Sequence, residues 1–210
     1  MKKIFFLAMS AGMCAGCATT STTSMSAEER LDQAQTITQT WHAYSKVRAG
    51  KLLDEYGPPD QIESDRLIWH DAGPWVRIAV WDTEDYYPAT IGSDNMEQTI
   101  SYDVPTDKRA ALAAFSDKLA VSVEGQELSV RGNSETLDFL ALNLANEIVR
   151  GDRSPEQARR FYDRIHELTQ AGTSSPYTQG LLFSPSRVLL PRSSEERSDF
   201  LNTPLDIWQY

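Results

Sequence analysis

The feature that most constrains the fold is a pair of strand-like runs on either side of a tight turn. Residues 66–70 (RLIWH) and 75–81 (WVRIAVW) are rich in β-branched and aromatic side chains. Between them lie residues 71–74 (DAGP), which are types that tight turns prefer. The stretch therefore predicts an antiparallel hairpin. Gly57 and the two prolines that follow it predict that a helix ends just before the hairpin.

The second strand of this hairpin has two chemically different faces. Val76, Ile78 and Val80 share one face, and we expect this aliphatic face to pack on the core. The other face is expected to point outward and carries Trp75, Arg77, Ala79 and Trp81. Trp69 or its neighbours on the first strand would join it, depending on the register of the hairpin.

The outward face is the candidate binding site, because Trp and Arg are the residues that most often anchor protein interfaces. The candidate partner-binding residues are Trp75, Arg77, Trp81 and Trp69. The alternative is that the C-terminal part of the chain covers this face. It offers large apolar side chains for that purpose, including Leu189, Phe200 and Trp208.

The rest of the chain predicts an α+β fold, in which an antiparallel sheet of hairpins carries helices on one face. Residues 96–104 alternate, which is typical of a half-exposed strand. The core-facing set is Met96, Ile100, Tyr102 and Val104, and the solvent-facing set is Glu97, Thr99, Ser101 and Asp103. Residues 119–132 predict a second hairpin that turns near Gly125.

Helices are predicted where capping residues precede apolar periodicity. Ser26 with Glu29 forms a capping-box pattern, and the helical region that follows runs to Gly57 and is expected to divide at Gly50. Ser134 is expected to begin a long apolar helix that ends at Gly151, and Ser154 to begin a last one. The predicted organisation is a signal at 1–16, a polar tether at 17–26, a globular domain at 27–169 and an irregular extension at 170–210 that packs on it.

The N-terminal residues resemble a bacterial lipoprotein signal. Two lysines precede a short apolar stretch, and small residues precede Cys17. The resemblance implies cleavage before Cys17 and acylation of that residue, including palmitate. Several acyl chains hold a protein firmly at a membrane. Ala18 follows Cys17, which in the enterobacterial pattern implies sorting to the outer membrane, with the domain facing the periplasm.

The charge argues against nucleic acid as a partner. The chain has a formal net charge of −10. Removal of residues 1–16 would take away two of the 20 basic residues and none of the 30 acidic ones, which makes the charge −12. Such a chain repels phosphate backbones. The expected partners are the membrane, through the lipid on Cys17, and another envelope protein.

Between about Tyr56 and Tyr162 the chain resembles an uncharacterised family of small bacterial proteins. The fragments that carry the resemblance are EYGPPDQIESDRLIWHDAGPWVRI, EQTISYDVP, LAAF and LDFLALNLANEIVRG, followed by S-x-E-x-A-R-x-F-Y. It implies a shared domain and no particular activity. The order of helix, Gly-x-Pro and hairpin with a tryptophan is also similar to the SmpA/OmlA-type lipoproteins. That family scaffolds outer-membrane assembly and is not enzymatic.

Motifs for catalysis or for a cofactor are missing from the sequence. There is no G-x-S-x-G or S-x-x-K nucleophile and no H-E-x-x-H metal spacing. We therefore expect no catalytic residues, no metal and no cofactor. The competing hypothesis is a periplasmic hydrolase or glycan-binding protein that uses His70 with the acidic loop of Asp82, Glu84 and Asp85.

The sequence thus favours a non-catalytic, lipid-anchored envelope protein without excluding an enzyme. The expected role is an interaction or scaffold module at the periplasmic side of the outer membrane. A protein inhibitor that binds its target through the sheet face is a third hypothesis, and it uses the same candidate surface.

Overall fold

The computed structural model describes residues 25–84 and 94–185. Within them the chain forms five α-helices, six β-strands and one 3₁₀ turn, which is the α+β class that the sequence predicts. The elements are α1 (Ala27–Thr38), α2 (Ala43–Tyr56), β1 (Gln61–Ile62), β2 (Arg66–Ala72), β3 (Trp75–Trp81), β4 (Met96–Ser101), α3 (Thr106–Phe115), β5 (Leu119–Val121), β6 (Glu127–Gly132), α4 (Glu135–Arg150), α5 (Pro155–Gln170) and the 3₁₀ turn Pro176–Thr178.

The strands form one antiparallel sheet in the order β1-β2-β3-β4-β6-β5. Both predicted hairpins are present: β2 pairs with β3, and β5 pairs with β6. Strand β4 lies between them and joins β3 to β6 through registers such as Arg77 opposite Thr99 and Thr99 opposite Ser129. The two shortest strands, β1 and β5, form the two edges of the sheet.

The helices pack on one face of the sheet, which we call the apolar face. Trp69 donates its indole N–H to the carbonyl of Gly57 just after α2, at 2.9 Å. Gln98 Nε2 donates to Glu135 Oε1 on α4, at 3.2 Å. The apolar face is formed by Leu67, Trp69, Ile78, Val80, Met96, Gln98, Ile100, Leu128 and Val130, all buried.

The helix boundaries follow the predicted caps, with one correction. Capping boxes begin α1 at Ser26 and α5 at Ser154. The expected division at Gly50 is wrong, because Gly50 lies inside α2. The break falls instead between Thr38 and Ala43, where the Trp41 side chain turns inward. Its indole N–H donates to the Ser64 carbonyl at 2.8 Å, and only 4% of the residue is exposed.

The first part of the extension packs on α4, where the buried Asn143 side chain contacts its backbone. Asn143 donates to the carbonyls of Tyr177 and Gly180, at 3.1 and 2.9 Å. Its own carbonyl oxygen accepts the N–H of Leu182 at 2.7 Å. Phe183 then contacts the Tyr102 ring edge-on, with centroids 5.3 Å apart. The extension thus runs from α5 across α4 toward the end of β4.

Several expectations concern residues outside the described part of the chain. The lipidation residue Cys17 and the candidate covering residues Leu189, Phe200 and Trp208 fall there, as does Asp85 of the acidic loop. Among the described residues, none of the helices has the length and apolarity needed to cross a bilayer.

Candidate functional site

The face of the sheet opposite the helices carries a continuous polar surface, which we call the polar face. Residues directly opposite each other in a ladder point to the same side. The register therefore builds two long rows, His70–Arg77–Thr99–Ser129 and Ile68–Ala79–Glu97–Arg131. Shorter rows add Arg66 opposite Trp81 and Ser101 opposite Glu127. The polar face consists of these twelve residues.

Arg77 lies at the centre of the polar face between two carboxylates. Its guanidinium is 3.6 Å from Glu97 Oε1 and 3.9 Å from Glu127 Oε2. Arg77 Nη2 also donates to Thr99 Oγ1 at 3.4 Å, and the Thr99 and Ser129 hydroxyls are 2.9 Å apart. Burial raises the pKa of the Glu127 carboxyl, and the positive charge of Arg77 opposes that rise. The centre is thus a buried ionic cluster spanning three strands.

Trp81 lies at one end of the polar face under an arginine. The Arg131 guanidinium is 5.1 Å from the centroid of the Trp81 ring, a cation–π distance. Arg131 Nε donates to the carbonyl of Asp94 at 3.3 Å, and the Asp94 carboxylate pairs with Lys118 at 2.8 Å. Trp81 and Arg131 are both half-buried. This end of the face therefore combines a large ring with cations, which is the composition of an interface anchor.

The burial of the polar face exceeds what the described helices explain. The sequence predicts that Glu97, Thr99 and Ser101 face solvent, and this is wrong. Glu97 is 1% exposed and Thr99 is fully buried. The Arg77 and Glu127 side chains are only 13% and 16% exposed. The described helices pack on the apolar face, so they do not account for the low exposure of these long charged side chains.

The structure divides the predicted binding residues between the two faces. Arg77 and Trp81 lie on the polar face as predicted. Trp69 is opposite Ile78, so its ring lies on the apolar face and is 2% exposed. The expectation that Trp75 points outward is also wrong, since this residue is 1% exposed. Ala79 is on the polar face as expected, although it too is fully buried.

Trp75 does not lie on the same face as Arg77, as strict alternation along β3 would require, because the hairpin is distorted next to its turn. Asp71 and Gly73 have positive φ angles of 50° and 60°. The ladder pairs His70 with Arg77 and Ala72 with Trp75 but leaves out Asp71 and its opposite residue. Strict alternation therefore does not extend to the turn, and Trp75 lies against α4.

The buried end of the Trp75 side chain belongs to a hydrogen-bond cluster around one carboxylate. Trp75 Nε1 donates to Glu135 Oε1 at 2.7 Å, and the Tyr56 hydroxyl and Gln98 amide donate to the same oxygen. The Trp75 ring stacks on Phe139 with centroids 5.1 Å apart. Burial and the hydrogen bond to Glu135 raise the pKa of the Tyr56 hydroxyl. The cluster joins α2, β3, β4 and α4.

A second carboxylate on α4, that of Asp138, lies one turn further along the helix and is buried. Asp138 is 3% exposed, and its Oδ2 has no hydrogen-bond partner among the described residues. Burial raises the pKa of the Asp138 carboxyl well above its ordinary value, and Arg48 opposes that rise. A Cβ added at Gly132 would be 2.1 Å from Asp138 Oδ1. The carboxylate therefore occupies the space that the missing side chain of Gly132 leaves on β6.

The structure does not bring the residues of the hydrolase hypothesis together. Asp82 lies beyond the Arg66–Trp81 end of the hairpin, whereas His70 is opposite Arg77. Four residues separate these two rows, which is about 13 Å along a strand. Asp82 instead contacts His42, with Nδ1 and Oδ1 3.0 Å apart, and accepts the backbone N–H of that residue at the start of α2. Among the described residues, no group of three or more His, Cys, Asp or Glu could hold a metal ion.

Sequence reasoning missed several residues of the polar face and the Glu135 cluster. Arg131 reaches Trp81 across an intervening strand, which no local pattern indicates. Glu135 follows the predicted N-cap Ser134. An acidic residue in the first turn of a helix is already explained by its favourable interaction with the helix dipole, so Glu135 gave no sign of a hydrogen-bond cluster. Alternation did place Glu97 on the side of the strand away from the core.

The fold and the site define an α+β protein with a six-stranded antiparallel sheet and a buried polar face. No protein-family model, no curated protein and no solved structure matches the chain.

Proposed function

We propose that this protein is a lipid-anchored interaction module of the bacterial cell envelope, held at the outer membrane and facing the periplasm. Its partner is another envelope protein, which contacts the Trp81 end of the polar face. The observation that carries the binding role is the stack of Arg131 on Trp81, on the sheet face away from the described helices.

The chemistry of this end suits a protein partner. Indole and guanidinium groups supply large, partly desolvated contact areas that anchor protein interfaces. Arg66 lies opposite Trp81 in the ladder, and Lys118 lies beside Asp94. Arg66 pairs with Glu63, and Lys118 pairs with Asp94, so this end presents charges of both signs around the Trp81 ring.

The anchor has its own test. The full chain and a Cys17→Ser variant are expressed in a Gram-negative host with labelled palmitate. The full chain should incorporate label and fractionate with the outer membrane, whereas Cys17→Ser should do neither. Label in the variant, or residence of the unmodified chain in the soluble periplasm, would contradict the anchor.

The binding site is tested by cross-linking and purification from the native membrane. Trp81→Ala and Arg131→Ala should each reduce recovery of the same envelope protein by about tenfold or more, the loss of a hot-spot residue. The matched control is Arg150→Ala, which removes an exposed arginine paired with Asp152 at the end of α4. If both site variants retain every partner that the control retains, the site assignment fails. Circular dichroism melting of each variant verifies that the fold persists.

A further inference from the structure

Asp138 is buried where α4 begins, against the backbone at the end of β6. Its Oδ1 fills the space that a side chain at Gly132 would need. Its Oδ2 is buried as well and has no hydrogen-bond partner among the described residues. A negative charge on a carboxyl buried in this way is costly, because one of its oxygens lacks a donor. The surroundings of Asp138 therefore favour its neutral, protonated form.

The residues beside Gly132 connect this carboxyl to the Trp81 end of the polar face. Arg131, the preceding residue, donates its backbone N–H to the carbonyl of Lys118 at 2.9 Å. Its side-chain Nε donates to the carbonyl of Asp94 at 3.3 Å, and its guanidinium lies over the Trp81 ring. The Asp94 carboxylate and the Lys118 ammonium form an ion pair of 2.8 Å. Asp94 and Lys118 thus support the arginine of the stack from the strand end that Asp138 contacts.

Several charged or titratable groups face Asp138 from the elements packed around it. They are Arg48 on α2, Asp94 before β4, Lys118 before β5, Glu135 on α4 and Tyr162 on α5. Burial raises the pKa of the Tyr162 hydroxyl to about 12, so this group stays neutral. Arg48 donates to the Tyr44 hydroxyl at 2.9 Å. The Lys118 side chain is half exposed, so it is the cation that can move most freely in response to a charge on Asp138.

We propose that protonation of Asp138 controls the Trp81 end of the polar face. When Asp138 is neutral, Lys118 stays paired with Asp94, and the Asp94 carbonyl holds Arg131 over the Trp81 ring. When Asp138 is ionised, its negative charge repels Asp94 and draws Lys118 away, which frees Arg131 from its acceptor. The stacked arrangement binds the proton more tightly than the released one, so rising pH favours release of the stack.

The proposal rests on the proposed function only for its consequence for a partner. A partner that contacts Trp81 and Arg131 is bound while Asp138 is protonated and is released as pH rises. The proton is thus the regulating ligand of the proposed binding site. The coupling between Asp138 and Trp81 is a property of this chain alone, so it can be measured without a partner.

The test follows both residues by NMR in the Cys17→Ser chain without a partner. The ¹³C signal of the Asp138 carboxyl reports its ionisation, and the indole ¹⁵N–H signal of Trp81 reports the stack. Trp81→Phe identifies that signal among the five tryptophans. As pH rises from about 4, the ordinary pKa of an aspartate, both signals should change with one shared midpoint.

Two variants separate this coupling from other titrations near Trp81. Asp138→Asn keeps the shape of the side chain and removes its ionisation, so the Trp81 signal should lose the transition and stay at its low-pH position. Asp94→Asn should lower the Asp138 midpoint by about 0.5 pH unit, because a repelling charge is gone. It should also abolish the Trp81 transition, because the Lys118 pair no longer exists. The matched control Asp152→Asn changes an exposed carboxylate paired with Arg150 and should leave both transitions unchanged.

The NMR results decide the coupling. A Trp81 transition at the Asp138 midpoint that disappears in Asp138→Asn supports the proposal. A flat Trp81 signal in the parent, or a transition that persists in Asp138→Asn, overturns it. Should Asp138→Asn fail to fold, Asp94→Asn decides: loss of the Trp81 transition while Asp138 still titrates supports the proposal, and its persistence overturns it.

Cross-linking in the native membrane tests the consequence for the partner. Recovery of the partner by the parent should fall at least about threefold across the Asp138 midpoint, and recovery by Asp138→Asn should stay constant. Constant recovery by the parent overturns the regulation. If Trp81→Ala retains every partner, the proposed function fails, whereas the NMR coupling stands or falls by its own result.

Discussion

The indole N–H of Trp75 donates to Glu135 Oε1 at 2.7 Å, and this contact locks the end of the β2–β3 hairpin onto the first turn of α4. Trp75 is 1% exposed, so its N–H depends on this protein acceptor. The same oxygen accepts from Tyr56 and Gln98. One side chain at a helix N-terminus thus satisfies three donors from three different elements.

Loss of Glu135 should therefore destabilise the fold. We expect Glu135→Ala to lower the free energy of unfolding by about 2–4 kcal/mol, because it leaves buried donors without an acceptor. Urea denaturation followed by circular dichroism measures the change. The control Glu167→Ala, an exposed glutamate on α5, should change it by less than about 0.5 kcal/mol. Equal effects of the two variants would contradict the role of the cluster.

The pH dependence of stability should carry a contribution from Asp138. Burial raises the folded-state pKa of this carboxyl above its unfolded value, despite Arg48 and Lys118. The folded state then binds more protons, so this contribution to stability declines as pH rises from about 4 through the folded-state pKa. Asp138→Asn removes the ionisation. The variant should gain stability relative to the parent as pH rises, and a pH-independent difference between the two would contradict the argument.

Gly132 should not tolerate a side chain while Asp138 is present. The added Cβ of Gly132→Ala would lie 2.1 Å from Asp138 Oδ1, in a buried site that cannot yield freely. We expect a loss of about 1–3 kcal/mol in the free energy of unfolding. In a double-mutant cycle with Asp138→Ala, the Gly132→Ala change should cost markedly less. Strict additivity of the two changes would show that the contact does not limit this position.

Two arginines of the β2–β3 hairpin, Arg66 and Arg77, should differ sharply in their importance for stability. Arg77→Ala removes the cation that lies between the Glu97 and Glu127 carboxylates and should cost about 3–5 kcal/mol. Arg66→Ala removes an exposed pair with Glu63 at 2.7 Å and should cost at most about 1 kcal/mol. Thermal and urea denaturation of both variants provide the comparison. A small effect of Arg77→Ala would show that water or another cation reaches the cluster.

The extension should loosen from α4 when the Asn143 side chain is truncated. Asn143 makes three hydrogen bonds to the backbone of residues 177–182. Asn143→Ala should expose this stretch to limited proteolysis and speed its amide hydrogen exchange, while the β3 and β4 amides keep their protection. Unchanged cleavage and exchange near Gly180 would mean that ring contacts such as Phe183 with Tyr102 suffice to hold it.

Local patterns predicted the elements well because each carried its own signal. The turn residues at 71–74 marked the hairpin, and Ser154 marked the start of α5. Alternation also placed Glu97 and Thr99 away from the core. The predictions failed where the outcome depends on contacts between segments that are far apart in the sequence. Alternation gives the face of a residue but not what lies over that face, so Glu97 was expected to be exposed and is buried.

The errors at Trp75 and Gly50 have similar origins. The residues around Asp71 have positive φ, and this local distortion ends the alternation that placed Trp75 outward. Gly50 is a weak helix former, yet tertiary contacts keep α2 continuous, and the helix break occurs where Trp41 packs inward. The Arg131–Trp81 stack was beyond prediction because its members meet only when the order of the strands is known.

The brevity of the two edge strands has a consequence for proteins held side by side. Long, flat sheet edges present open backbone groups that recruit strands from neighbouring molecules. Here β1 has two residues and β5 has three, and both flank the four longer strands. A neighbour that docks on either edge strand finds only two or three residues with which to extend the sheet. Edge-to-edge pairing between copies of this chain is therefore limited to these short strands, which disfavours growth into a fibre.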